Sequence, residues 1–178
     1  MELTFTGQRM LLASVTARSE VHGEDREPAS DVGLKADVPN DVLAVFHPDL
    51  KAAMYRFDES RPQDLVDQGK SREPGYLPHL KFPMLRTPLN WDGEIVNAKV
   101  KIRRLGEPEK NDVILTPAKV NKFAFELHDG GTVGLSFRVQ YKPDEAQAGK
   151  LAMLVQQDVE VSLEILPEEE PQQGFAGE

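Results

Sequence analysis

The sequence predicts one β-rich α+β domain, built as an antiparallel β-sandwich or partly open barrel, with two short helical segments and a disordered acidic C-terminal tail. Three observations predict it. Apolar residues alternate with polar ones through residues 31–38, 96–103, 132–141 and 158–165, the period of a half-buried strand. Turn-forming residues separate these runs, most clearly His128-Asp129-Gly130-Gly131 between two alternating stretches. Helical spacing is confined to residues 40–55 and 144–154. Strands that alternate in burial and are joined by hairpin-type turns argue against parallel βαβ units.

Residues 3–5 and 10–17 read as opening strands, followed by a polar loop over 19–31 that holds Glu20, Glu24, Asp25, Glu27, Pro28 and Asp31. Val32, Leu34, Ala36 and Val38 then share one strand face. Pro39-Asn40-Asp41 is a helix start, because Asn and Asp oxygens accept the free amides of a first turn. Val42, Leu43 and Phe46 supply a short apolar face, and Pro48-Asp49 opens a second short helix with Leu50, Ala53 and Met54. Residues 57–79, rich in Pro, Gly and charge, form a long mobile loop.

Residues 80–85 look extended, with Pro83 suited to an edge. Asp92-Gly93 marks a tight turn, after which Val96, Ala98, Val100 and Ile102 point inward. In the strand after His128, residues Val133, Leu135, Phe137, Val139 and Tyr141 point one way and Ser136, Arg138 and Gln140 the other. A helix capped by Asp144 carries Leu151 and Leu154, and a last strand buries Val159, Val161, Leu163 and Ile165. The domain thus spans 1–166 with seven or eight strands, and 167–178 is the tail.

There is no cysteine, which removes disulfide frameworks, thiolate metal sites and cysteine nucleophiles. The N-terminal residues lack the pattern of a signal peptide, and no apolar run approaches the ~20 residues that span a bilayer. The expected setting is the cytoplasm, with no membrane partner. His22, His47, His79 and His128 are scattered, without metal-ligand spacing, and no phosphate-binding or nucleophile motif occurs. Carboxylate pairs such as Asp64 and Asp67 lie in polar loops with no apolar pocket to shift a pKa. The expectation is a protein that is not an enzyme and takes no cofactor and no metal.

Net charge is −9, yet residues 94–142 hold nine Lys/Arg against six Asp/Glu. Lys99, Lys101 and Arg103 share the polar side of one strand, and Arg138 and Lys142 occupy the polar side of another, where they would join the same face. Such a face can track a phosphate backbone, which makes these five the candidate nucleic-acid-binding residues. A solvated sheet face needs the same residues for solubility. Residues 167–178 carry Glu168, Glu169 and Glu170 ahead of Phe175, the segment's one large apolar residue. The composition suits a solubilising end, or a docking peptide formed by Glu168, Glu169, Glu170 and Phe175. Single-stranded-DNA-binding proteins of bacteria and phages often end in an acidic tail with a terminal aromatic. This end is similar in kind, although Ala176-Gly177-Glu178 follow Phe175.

The segments Val38-Pro39-Asn40-Asp41-Val42-Leu43, Phe137-Arg138-Val139-Gln140 and Gly149-Lys150-Leu151-Ala152-Met153-Leu154 resemble a group of uncharacterised bacteriophage and prophage proteins encoded among early DNA-metabolism genes. The resemblance covers residues 31–165 and carries no assigned chemistry. It implies a phage-linked context and carries over no functional residue. With the basic face and the tail it gives the leading expectation: a phage-type DNA-metabolism protein in the host cytoplasm that binds single-stranded DNA or a recombination or replication partner, with a homo-oligomer as one option. The alternative is an acidic inhibitor of a host defence or nuclease protein, or a small virion structural or interaction module.

Overall fold

The computed structural model describes residues 3–22, 25–60, 69 and 74–167. In chain order these form β1 (Phe5–His22), β2 (Asp25–Pro39), α1 (Val42–Phe46), α2 (Leu50–Met54), β3 (Tyr55–Arg56), β4 (His79–Leu80) and β5 (Leu89–Trp91). Then follow β6 (Ile95–Arg104), a 3-10 turn (Glu109–Asn111), β7 (Val113–His128), β8 (Thr132–Tyr141), α3 (Glu145–Met153) and β9 (Asp158–Ile165).

Six strands close on themselves in the order β1-β2-β8-β7-β6-β9, every neighbouring pair antiparallel. The architecture is therefore a closed barrel, not a sandwich. The seam that closes it pairs the first strand with the last, from Phe5 opposite Leu163 to Leu11 opposite Asp158. A barrel of so few strands has room for side chains and nothing else. Met10, Leu12, Val32, Leu34, Val100, Ile102, Leu115, Val120, Phe123, Leu135, Phe137, Val139, Val161 and Leu163 fill it as one continuous core. Phe137 stacks on Phe5 with centroids 6.1 Å apart and leans on Phe123 at 6.0 Å.

The two ends of the barrel are covered differently. At the end where β7 begins and β8 finishes lies α3. Its N-terminus has the expected Asp144 cap, whose side chain accepts from the Gln147 amide at 2.7 Å, while the Gln147 side chain answers the Asp144 amide. Leu151 and Leu154 are buried there as predicted. The opposite end receives described parts of the insertion between β2 and β6, α1 and Tyr55 among them. Leu43 and Phe46 of α1 are its buried plug, and the Phe46 ring meets Phe125, Phe123 and Trp91 edge-on at 4.7, 5.2 and 5.9 Å. Tyr55 is buried behind them, its hydroxyl shared between the carbonyl oxygens of Thr132 at 2.9 Å and His128 at 3.1 Å.

Several expectations need correction. Residues 19–31 are not a loop: β1 and β2 pair continuously from Ser14–Gly33 to His22–Asp25. Pairing with β8 stops at Ser30 and with β9 at Leu11, so beyond these points the two strands form a ribbon outside the barrel wall. A ribbon with no core beneath it needs no apolar alternation, which is why its sequence reads as a loop. Phe5 and residues 10–17 belong to one strand, which starts after residues 3 and 4 and has an irregularity at Gly7, where φ is +60°.

Asn40 and Asp41 do not cap α1 with their side chains; Asn40 Nδ2 instead donates to the Leu77 carbonyl at 2.8 Å. Asp92-Gly93 does not reverse the chain, because β5 and β6 lie along the same edge of β7 as one interrupted strand. Residues 81–88 are not a strand. Val96 is exposed, since Asn97 at φ +55° shifts the register and turns Ile95 inward. Ile165 is also partly exposed. The loop expected over 57–79 is described only at 57–60, 69 and 74–79, and the tail beyond 167 lies outside the described residues.

Candidate functional site

The five cations expected to hold nucleic acid sit outside the barrel wall, on β6 and on β8, with β7 between. Lys99, Lys101 and Arg103 do share the outward side of β6, where they alternate with buried Ala98, Val100 and Ile102. Their neighbours are carboxylates. Arg103 grips Asp112 with two contacts, Nε to Oδ1 at 2.6 Å and Nη2 to Oδ2 at 3.0 Å, and has Glu109 and Glu160 at 3.5 and 3.6 Å. The hydrogen bonds from Arg103 hold the Asp112 carboxyl below the usual carboxylate range, and Asp112 in turn raises the guanidinium further above its own.

Lys101 faces Glu164 at 3.6 Å, and Lys142 contacts Glu27. Arg138 donates to Asp31 at 2.9 Å, and Arg18 reaches the same carboxylate at 2.8 Å, so one aspartate ties β1, β2 and β8 together. Lys99 makes no ion pair among the described residues. Exposed pairs such as Lys142–Glu27 are worth little and exchange easily. The forked Arg103–Asp112 pair is half-buried and holds its geometry. The carboxylates that neutralise this face come from β9, from the turn before β7 and from β2; those of β9 and β2 are distant in sequence from the cations they meet, while Asp112 is nine residues from Arg103.

The candidate docking residues Glu168, Glu169, Glu170 and Phe175 lie outside the described residues. Among the described residues no group of three or more His, Asp or Glu is placed to hold a metal ion, and no helix is long and apolar enough to cross a membrane. A groove of about 650 Å³ crosses the outer faces of β1, β2 and β8, with Arg9, Lys35, Asp37, Glu126 and Asp158 mixed around small Ala36, Gly134 and Ser136. Its charges offset one another and point to no single ligand class.

The site that sequence reasoning missed is an apolar cleft at the open end. Leu43 of α1, Leu50 and Met54 of α2, Leu89 and Trp91 of β5, and Phe125 and Leu127 of β7 line about 250 Å³, with Asn90 the polar exception. The register places Leu89 opposite Phe125 and Trp91 opposite Phe123, so these side chains share the face turned toward α1 and α2. Two five-residue helices are too short to cover that face, and it stays partly open. Such a volume suits one or two side chains rather than a cofactor.

Residues 81–88 lead into the cleft wall formed by β5. Lys81 anchors this segment, its amide donating to the Met54 carbonyl at 2.9 Å. Beyond that anchor Phe82, Met84 and Leu85 are 57%, 92% and 43% exposed, the densest run of exposed large apolar side chains in the described chain. Residues 74–91 contain no Asp or Glu but carry Lys81 and Arg86, in a protein of net charge −9. This rim segment is therefore apolar and cationic, while Asp49, Asp92 and Glu126 are sequence neighbours of the lining residues Leu50, Trp91, Phe125 and Leu127. Its sequence signal was Leu80-Lys81-Phe82-Pro83-Met84-Leu85, which also fits an edge strand, and only the fold separates the two meanings. No protein-family model, no curated protein and no solved structure matches this chain.

Proposed function

We propose that this protein is a non-enzymatic interaction module of phage-type DNA metabolism, which docks an acidic, aromatic-bearing segment of a replication or recombination partner into the cleft between α2 and β5. One observation carries the reading: an open apolar cleft of side-chain size lies near a segment of exposed apolar side chains that carries Lys81 and Arg86. Clustered exposed apolar side chains mark interaction surfaces, and a few buried anchors dominate the affinity of such contacts. Lys81 and Arg86 add attraction for carboxylates, which raises the association rate and selects the partner's sign of charge.

The test is titration of the full-length protein with a synthetic peptide of three glutamates followed by phenylalanine, read by calorimetry. Binding should weaken when the peptide phenylalanine becomes alanine, and about 10- to 30-fold when Leu50 becomes glutamate, the range of a lost interface anchor. Absence of binding at low salt to both the unaltered protein and Phe175→Ala rejects the reading.

Single-stranded DNA is the second reading, favoured by Lys99, the one member of the expected basic face without an ion pair among the described residues. Filter retention of labelled oligothymidine at low salt, lost in Lys99→Glu, would move the assignment to that face. No retention at low salt would end it.

A further inference from the structure

The cleft raises the question of what covers it when no partner is bound. We propose that it is covered by the protein's own C-terminal tail, with Phe175 as the anchor, so that a partner must displace the tail to dock. The proposal rests on the reading of the cleft as a docking site and adds its resting occupant.

Four observations converge. The first is direction. β9 runs antiparallel to β6, with Lys99 opposite Glu164 and Ala98 opposite Ile165. The contact continues past the strand: the Leu166 amide donates to the Asn97 carbonyl at 3.0 Å, and Asn97 Nδ2 donates to the Pro167 carbonyl at 2.9 Å. The chain thus leaves the barrel heading along β6 toward its start. β5 prolongs the line of β6 along β7, and nothing among the described strands pairs with β5 on its other edge. A tail that kept its heading would pass beside β5, whose Leu89, Asn90 and Trp91 line the cleft.

The second is reach. From Asn97 back to Trp91 the β6–β5 line spans about 20 Å at ~3.3 Å per residue. The eight residue-to-residue steps from Pro167 to Phe175 extend about 26 Å by the same measure, enough to arrive with little slack. The third is side-chain chemistry. Phe175 is the one large apolar residue after Leu166, and the cleft is an apolar space of side-chain size. The fourth is charge. Glu168, Glu169 and Glu170 precede the anchor, while the rim carries Lys81 and Arg86, and Arg86 has no ion pair among the described residues. Lys122 on β7 lies between the residues opposite Ile95 and Trp91, also without an ion pair among the described residues; Asp92 and Glu94 share this stretch, and Glu94 is paired with Lys119.

The experiment uses Trp91, the chain's single tryptophan and a wall of the cleft. Emission and acrylamide quenching are compared between the full-length protein and Phe175→Ala, a substitution in the tail that leaves the barrel core intact. The expected result is a red-shifted emission and stronger quenching in Phe175→Ala, with an unchanged melting temperature and no dependence on protein concentration over a hundredfold range. Glu168, Glu169 and Glu170 changed together to glutamine should shift emission the same way at low salt, and less at high salt, because exposed charges are screened beyond roughly 8–10 Å near physiological ionic strength.

Identical emission and quenching in the two proteins overturns the proposal. A difference that appears only at high concentration also overturns it, since that would be the tail of a second copy. Binding of the synthetic peptide to a protein whose own tail leaves Trp91 unchanged overturns the tail as occupant while leaving the cleft as a docking site. Failure of the peptide to bind either Phe175→Ala or the unaltered protein removes the docking site itself.

Discussion

The two ends of the barrel solve one problem differently. Each must cover a ring of apolar side chains. At the α3 end a nine-residue helix with a reciprocal cap lays Leu151 and Leu154 into the core and finishes the job. At the other end a long insertion sends in two five-residue helices without side-chain caps, held by one aromatic plug and one tyrosine hydroxyl. There the cover is incomplete, and Trp91, Met54 and Leu89 are left half-buried around a cleft. Sealing needs only enough buried surface; recognition needs surface held back from the core. The difference separates a lid that stabilises from one that also presents a site.

Substitutions at the two ends sharpen this contrast. The largest effect is expected from Leu151→Ala at the sealed end. A fully buried leucine replaced by alanine costs about 2–5 kcal/mol, read as a lower urea midpoint, and peptide binding by the remaining folded protein should be unchanged. Met54→Ala at the open end should reverse the pattern, with a small stability loss and a clear loss of binding. Equal losses of stability in both variants would erase the distinction between the ends.

Next in size is Tyr55→Phe, which removes a buried hydroxyl bonded to two carbonyls and should cost about 1–1.5 kcal/mol. It also has a pH signature. Burial pushes the Tyr55 phenol up to about 12. The unfolded chain ionises this group near its ordinary value of about 10, while the folded protein keeps it neutral. Stability from this group is therefore complete below about 10 and lost as pH rises toward 12. In Tyr55→Phe the alkaline limb of a melting-temperature profile should be shallower; an unchanged limb would show that Tyr55 does not hold the open end.

Much of this architecture is legible in the sequence, because a barrel wall with core on one side enforces a two-residue period. The run Val133, Leu135, Phe137, Val139, Tyr141 shows it plainly, as do Val32 and Leu34. Two things hide from that reading. Closure is invisible, since it depends on β1 meeting β9 across nearly the whole chain. The ribbon is invisible too, because its strands hold each other by backbone pairing, which leaves no side-chain pattern in the sequence. The expected basic face shows the same limit. Strand alternation places Lys101, Arg103 and Arg138 outward, but the carboxylates of Asp112, Glu160, Glu164 and Asp31 arrive from other strands and turns. The cleft is hidden for a related reason: its walls come from four separate elements.

Two smaller effects complete the series. Asp144→Ala removes the α3 cap and should cost about 1 kcal/mol, with no change in binding, as thermal unfolding and peptide titration would show. Met84→Ser, on the rim, should leave stability within about 0.5 kcal/mol, because its side chain is 92% exposed, and should weaken peptide binding modestly. A marked loss of stability there would mean that the rim is part of the core.

The seam between β1 and β9 has a kinetic consequence. The β1–β2 pair and the β7–β8 hairpin join neighbouring stretches of chain and can form early. The Phe5–Leu163 register cannot exist until almost the entire polypeptide is in place, and it closes a very large loop at an entropic cost paid before its contacts exist. Folding should accordingly be slow for a chain of this size, in the range of milliseconds to seconds. Until the seam shuts, the facing edges of β1 and β9 are open to strands of other molecules, and refolding yield should fall as protein concentration rises.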